Sequence, residues 1–348
     1  RHLGEKRQFT HVPAYAGSLT YTDRTDERAT IGLLTDFVPN QGDAWTYTRD
    51  SIDRFFETIL VEERIPNNLD KIPDSLLKVD PETIPDEYLE RIDGFFLEMI
   101  ELLGTRTGEL HLALAADRRD PAFTPEPFSK LYQRSLYQSL RSLTKRVVGN
   151  LRKARRGLDD ESQASIDDFL SREQQILERF QRITTSRIEA KKIRIHGDYH
   201  LGQVLFTGRD FAIIDLEGEP ARTMSERRLK FSAFRDVAGM LRSFHYAIYS
   251  RYLETIAIRP EDGHRLDSWI RPWYVLVGGT FLHGYLNEVD NADFVPSDME
   301  AIAAALDVFL LEKAVYEVGY EANNRPKWLR IPLDGIRFVL DEGGVRDE

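Results

Sequence analysis

The chain has no cysteine among its 348 residues, so disulfides and thiolate metal sites are excluded. That usage fits a cytoplasmic protein, and no signal-peptide pattern opens the chain. No apolar run reaches the roughly 18 residues that a membrane-spanning helix needs. Basic residues are the minority: 47 Lys and Arg against 58 Asp and Glu give a formal net charge of −11. A balance of that sign disfavours nucleic acid as a partner, because a phosphate backbone requires a basic face. Internal repeats, heptad arrays and low-complexity tracts are also missing. What remains, 41% hydrophobic and 30% charged, is enough for one large domain or two lobes with a real core.

The most informative segment runs from Ile193 to Pro220. Asp198 follows a short apolar run and a glycine, Gly197, that tolerates a sharp turn. An amide, Gln203, comes five residues later, and its carbonyl oxygen is a hard ligand suited to Mg²⁺. After a turn at Thr207–Asp210, the apolar strand Phe211–Asp215 ends in a second carboxylate, with Glu217 two residues on and on the same face if the extended pattern continues. A loop base, a nearby amide and an acid that ends the next strand are the parts that phosphoryl transfer from Mg-ATP uses. That chemistry is mostly positioning and charge neutralisation. The bland alternative is a β-hairpin with scattered surface acids.

The arrangement resembles the protein-kinase signature His-Arg-Asp-x-x-x-x-Asn followed by Asp-Phe-Gly. Here Gly197 replaces Arg, Gln203 replaces Asn, and Asp215-Leu-Glu217 replaces Asp-Phe-Gly. Those departures resemble the small-molecule kinases related to aminoglycoside and choline phosphotransferases. Within that group the chain is similar to the maltokinases. The similarity rests on His196–Gln203, Ile214–Pro220, Arg235–Ala247, Lys313–Trp328 and Ile331–Leu333, together with Phe37–Trp45, which matches an inter-lobe hinge. The matches run from about residue 9 to residue 335.

The resemblance implies an α+β, protein-kinase-like fold of the aminoglycoside phosphotransferase type. It implies transfer of the γ-phosphate of ATP to the anomeric hydroxyl of maltose, with Mg²⁺, giving maltose 1-phosphate for α-glucan synthesis. A trehalose synthase domain, fused or separate, is the implied partner. By the same resemblance Asp198 is the catalytic base and Gln203 and Asp215 are metal ligands, with Glu217 assisting. His200 lines the sugar site, Phe37 and Val38 belong to the nucleotide-binding hinge, and His196 and Asp236 support the catalytic loop. For Asp236 the alternative is an ordinary helix N-terminal acid, and Gln203 has the alternative role of orienting another ligand.

The family's phosphate-covering loop and phosphate-reaching lysine have no counterpart in this sequence. Residues 1–45 therefore read as a remnant of an N-terminal lobe, with strands at Val12–Tyr21 and Ala29–Asp36 joined by the charged turn Asp23–Arg28. Residues 46–348 read as a helical C-terminal lobe. The expectation is a fragment of a longer maltokinase or of a trehalose synthase fusion, with poor ATP binding of its own.

Apolar spacing predicts helices at 47–60, 88–103, 106–116, 132–151, 166–183, 229–257, 267–288 and 298–324. Prolines and acids at 65–87 read as an exposed connection, and Asp120–Pro127 as a break. His111, in an apolar run, reads as a satisfied core histidine rather than a ligand. The basic residues Lys145, Arg146 and Arg152–Arg156 read as a solvated helix end rather than an anion site.

Sugars are held by polar side chains and flat aromatic faces, and Glu317, Tyr320, Glu321, Arg325 and Trp328 supply both. Glu317, Glu321 and Arg325 share one helical face, which is equally the pattern of a surface ion-pair ladder. Trp273 and Tyr285 read as cleft or core aromatics. Two further functions compete with maltokinase. One is a related kinase acting on an aminoglycoside or another sugar, and the other is a non-catalytic sugar-binding module of a glucan-processing enzyme.

Overall fold

A computed structural model describes residues 2–24, 26, 28–61, 72–185, 188–220 and 222–342. The first 43 residues hold a hairpin, β1 (Tyr15–Thr22) and β2 (Arg28–Thr35), whose antiparallel register is broken by two irregularities. Residues 25 and 27 of its turn lie outside the described residues. The hairpin leaves Leu19, Tyr21, Ile31, Leu33 and Leu34 exposed. The rest is helical: α1 (Ala44–Val61), α2 (Asp86–Ile92), α3 (Gly94–Ala115), α4 (Lys130–Ala154), α5 (Asp160–Ser171), α6 (Glu173–Gln181), α7 (Met224–Arg227), α8 (Phe234–Ile258), α9 (Gly263–Glu288), α10 (Met299–Asn324) and α11 (Arg330–Arg337). Two short strand pairs interrupt it, β3 (Glu126–Pro127) with β4 (Lys191–Lys192), and β5 (Val204–Phe206) with β6 (Phe211–Ile213). The class is α+β with a mostly helical main lobe.

Buried apolar residues on α1, α3, α8, α9 and α10 form one core, in which Trp269, Trp273, Phe55, Phe96 and Tyr285 are fully enclosed. Trp273 and Tyr285 are therefore core residues. Trp273 stacks on Phe96 with ring centroids 6.3 Å apart. The expected helices at 88–103 and 106–116 need a correction. The break comes earlier, at Asp93, whose φ of 75° ends α2 and whose carboxylate then caps α3 by accepting from the Phe95 amide. From there α3 runs unbroken through Gly104. That glycine is a contact point, because a Cβ on it would strike the Phe281 carbonyl and lie 2.8 Å from the Tyr285 nitrogen on α9. Gly108, one turn on, meets Glu288, and Gly284 of α9 meets the Glu101 carbonyl in return. Small residues at these positions bring the two backbones close.

The expected helix at 166–183 is split at Arg172, and residues 229–233 precede α8 outside any helix, with Phe231 bridging Ile193. The connection expected to be exposed at 65–87 is also corrected. Its part up to residue 71 lies outside the described residues, but Leu76, Val79 and Ile84 beyond are buried. Leu76 and Val79 pack against Gly278 and Gly279 of α9. No helix among the described residues is long and apolar enough to cross a membrane.

The α3–α9 contact predicts opposite outcomes for two glycine substitutions. Gly104→Ala should lower stability by about 1–3 kcal/mol or more through overpacking against backbone. Gly149→Ala on α4, where nothing lies within 4 Å of the new methyl, should stabilise by about 0.5–1 kcal/mol. Denaturant midpoints decide, and equal shifts of the same sign would refute the close approach.

Candidate active site

The loop from Ile195 to Gln203 joins the extended segment after β4 to β5, and its backbone is held from several sides. Asp236, in the first turn of α8, accepts the amides of His196 at 2.7 Å and Gly197 at 2.9 Å. It also receives His111 Nε2 of α3 at 3.1 Å, while His111 Nδ1 meets the Tyr285 hydroxyl of α9 at 3.1 Å. Asp236 thus ties the loop to the core, which is more than a helix N-terminal acid does. Burial pushes its carboxyl pKa up, but the His111 hydrogen bond, the histidine charges and the Gly197 amide outweigh that and hold it below the usual value. His111 is a satisfied core histidine.

His196 uses both ring nitrogens. Nδ1 accepts the Asp198 amide at 3.3 Å, so Nε2 carries the proton and donates to the Ile214 carbonyl at 2.8 Å. The Asp198 loop is thereby clipped to the end of β6. Gly197 takes φ of 89°, a left-handed value that favours glycine. Tyr199 is buried, its hydroxyl 2.9 Å from Thr107 of α3. Its carbonyl sits so close to Gly239 of α8 that a Cβ there would lie 2.5 Å away. The Leu201 amide donates to Ser243 at 3.1 Å. Amid these ties, the Asp198 carboxylate makes no hydrogen bond or ion pair among the described residues.

The hairpin β5–β6 sets the second half of the site. Its turn is closed by the Thr207 amide on the Asp210 carbonyl, with Gly208 at φ 91° and Asp210 gripped by both ends of Arg106 at 2.8 Å. That geometry brings Gln203 Nε2 to 3.0 Å from Asp215 Oδ2. Glu217 departs from expectation. The strand ends at Ile213, Asp215 takes φ of 59° and Gly218 of 80°, so the alternation that was to align Glu217 with Asp215 stops. Glu217 is exposed in the following turn. Among the described residues, Asp198, Asp215 and Glu217 do not gather into a cluster of three close metal-ligand atoms. His2, Asp117 and Asp120 do, but Lys6 pairs with Asp120 and Arg7 with Asp117.

A cleft of about 820 Å³ opens beside Asp198 and Gly197, a volume within the range of small-molecule sites. One wall is α4, with Ser135, Ser139 and Ser142; the other includes Glu312, Lys313 and Tyr316 of α10 and Arg222. A larger cavity of about 1030 Å³, between Phe128 and Met299, contains none of the catalytic-loop residues. The residues expected to bind sugar are not gathered here. Glu317 is buried and holds Arg242 at 2.8 and 3.0 Å. Glu321, 1% exposed, holds Arg325 at 2.7 and 2.9 Å and the Tyr246 hydroxyl at 3.1 Å. Arg325 stacks over Trp328 at 4.2 Å and lies 5.7 Å from the ring centre of Tyr320. These groups brace α10 and its C-terminal end: Glu317 and Glu321 do so from buried positions, whereas Arg325 and Tyr320 remain exposed. His200 caps the turn that follows it, its Nδ1 accepting the Gly202 amide at 3.1 Å. Burial first, with Lys313 and His196, lowers its pKa against the pull of Asp198, so the ring is neutral at pH 7. After β2, Phe37 stands 84% exposed and Val38 is half-buried, while Gln41 and Gly42 exchange hydrogen bonds with Phe206 of β5.

No family model matches the chain. It is 29% identical over 154 residues to a glucosamine kinase of Mycolicibacterium smegmatis, a stretch covering 42% of this chain and 34% of that protein. It is 25% identical over 150 residues to a glucosamine kinase of Streptacidiphilus jiangxiensis, covering 43% and 32%. The matched stretch is thus about a third of the length of these curated relatives. Among solved structures, a glucosamine kinase superimposes with a TM-score of 0.71 at 19% identity, over 97% of this chain and 68% of the other. A glucosamine kinase in complex with glucosamine, ADP and inorganic phosphate gives 0.70 at 20% identity, over 97% and 66%. The chain has the kinase-like fold of these proteins.

Asp236 yields a pH-dependent prediction. Its folded pKa is depressed, so its stabilisation is complete above the unfolded value of about 3.9 and is lost as pH falls through the folded value. Asp236→Asn should cost about 3–5 kcal/mol at neutral pH, because the amide keeps one acceptor oxygen but sets its NH2 against at least one of the three converging donors. The difference from wild type should be flat above about pH 4 and shrink below it. Urea melts across pH test this, and a difference that grows on acidification would overturn it.

Proposed function

We propose that this sequence forms the catalytic lobe of a sugar kinase that transfers the γ-phosphoryl group of ATP to the anomeric hydroxyl of maltose. One observation carries the kinase reading: an unpartnered carboxylate, Asp198, on a loop pinned at every neighbouring position, opening into a sugar-sized cleft. Asp198 accepts the proton of the attacking hydroxyl. Gln203 and Asp215 fit Mg²⁺, since their mutual contact leaves an amide oxygen and a carboxylate oxygen free as hard ligands, and Glu217 assists from the exposed turn. When bound, the ion neutralises charge on the phosphates. His196 and Asp236 fix the loop, and His200, neutral and beside the base, faces the acceptor. Phe37 and Val38, after β2, serve the adenine side. Residues 1–45 belong to the small lobe and residues 46–348 to the large one.

Maltose as acceptor rests on the motif resemblance at 196–203, 214–220, 235–247 and 313–328, which also makes a trehalose synthase domain the expected partner. The comparisons favour a second acceptor, glucosamine, because both curated relatives are glucosamine kinases.

The test is ATP-dependent phosphorylation by the full natural polypeptide that carries this sequence, with maltose and glucosamine offered separately. Maltose 1-phosphate as product supports the first acceptor, and transfer only to glucosamine replaces it. Sugar binding that never depends on nucleotide, without transfer, would mark a non-catalytic module. Asp198→Asn should lower turnover by about 10²–10⁴-fold while sugar binding persists. Undiminished turnover would remove Asp198 from the role of base.

A further inference from the structure

Beyond Asp198, the acceptor cleft holds a cation with nothing to pair with. Arg222 and Arg235 both lie over the Phe231 ring, their guanidinium carbons 5.1 and 4.5 Å from its centre. Glu312 is the natural counter-ion, but it is taken by Arg235, bonded through Nε at 3.1 Å and also through Nη2. Glu226 is engaged by the amide and hydroxyl of Thr223, each at 2.9 Å. Arg222 makes no ion pair with any described carboxylate. Burial, followed by the charge of Arg235, pulls its pKa down against the more distant Glu312, Glu219 and Glu226, yet a guanidinium remains charged in proteins. Lys313, which lines the same cleft, also lacks a carboxylate partner, its Nζ lying 5.6 Å from the ring centre of Tyr316. A half-buried guanidinium with unused donors is a costly arrangement unless a ligand completes it.

The position defines the ligand. Arg222 and Lys313 lie on the α4–α10 side of Asp198, whereas Gln203 and Asp215 lie at the hairpin. An anion held by the former pair is therefore on the acceptor. We propose that Arg222, with Lys313, forms a subsite that grips the phosphate ester of the sugar product. The proposal rests on the kinase reading above. In the transfer step the bond from the γ-phosphorus to the ADP oxygen breaks, and ADP leaves with the electron pair. A bond forms between phosphorus and the acceptor oxygen, whose proton passes to Asp198. The ester oxygens then carry two negative charges into the reach of two cations that lack a direct ion pair. Arg222 is a positioning residue: it slows product departure and aligns the phosphoryl group with the acceptor oxygen.

The experiment is calorimetric titration of the nucleotide-free protein with maltose, maltose 1-phosphate and inorganic phosphate, for wild type, Arg222→Met and Arg222→Lys. The expected result is maltose 1-phosphate binding tighter than maltose by about tenfold or more, the scale of one charge-assisted contact. That ratio should collapse in Arg222→Met and be partly restored in Arg222→Lys. Should Arg222→Met fail to fold, the wild-type preference for the phosphate ester must weaken as salt rises while maltose binding does not. Equal affinity of wild type for maltose and maltose 1-phosphate overturns the subsite. So does a preference that persists in Arg222→Met, or one that ignores salt. If neither sugar binds but inorganic phosphate does, and Arg222→Met loses it, the subsite stands and the maltose assignment falls. If phosphate binding is also absent, the subsite falls.

Discussion

The site hangs on one buried carboxylate. Asp236 is 2% exposed, and an isolated charge there would cost several kcal/mol in lost hydration. It is tolerable because three donors converge on it: the His196 and Gly197 amides and the His111 ring. Each donor belongs to a different obligation. The two amides have no partner in regular structure, and His111 is already held by Tyr285. A neutral side chain would leave at least one donor without an acceptor, so charge and geometry are coupled here. The consequence is mechanical. Helices α3, α8 and α9, which pack through glycine contacts, impose their rigidity on a loop that otherwise has little regular structure.

That rigidity extends to Asp198, whose carboxylate has no partner among the described residues. Asp198 has its own amide tied to His196, whose other nitrogen is tied to the Ile214 carbonyl at the end of β6. Loop and hairpin are therefore tied to each other through backbone groups, which fixes where Asp198 stands relative to the Gln203–Asp215 pair. The proposed role of Asp198 requires that property, since a misplacement of an ångström costs orders of magnitude in rate. Gly239 contributes by absence: any side chain there would push Tyr199, and with it Asp198, off the face of α8.

The catalytic segment was legible in the sequence because its parts are local. Asp198, Gln203 and Asp215 fall within 18 consecutive residues, and the turn at Thr207–Asp210 folds the second half of that span into a two-strand hairpin. Asp236 was legible through motif resemblance alone, since a helix-start acid looks the same whether buried or solvated. The α10 residues were not legible. Their period placed Glu317, Glu321 and Arg325 on one face, but which helix covers that face is a tertiary fact. Arg242 and Tyr246 of α8 turned it inward. The cleft is lined instead by Glu312 and Tyr316, offset by one residue from the expected face, and by Lys313, one turn before Glu317 on that face. Arg222 gave no signal because its importance lies in the partner it lacks. The uninterrupted course of α3 was hidden for a related reason, since Gly104 reads as a breaker until Phe281 is seen against it.

The two sides of Asp198 differ in kind, and that difference bears on specificity. On the hairpin side Gln203 and Asp215 present oxygen-bearing groups, the chemistry that the proposed metal and phosphate contacts need. On the other side, α4 offers hydroxyls and α10 offers an aromatic ring and charged groups, from two helices whose relative position is set by α10 packing on both α4 and α8. Under the proposed function, a change of acceptor needs only substitutions on the faces of α4 and α10, with no disturbance of Asp236 or of the hairpin. Glu317 and Glu321 support that separation from behind. By locking α10 to Arg242, Tyr246 and Arg325 through its buried face, they fix where Lys313 and Tyr316 stand while touching nothing in the cleft. Close relatives with one catalytic loop and different sugars are the expected product of such an architecture.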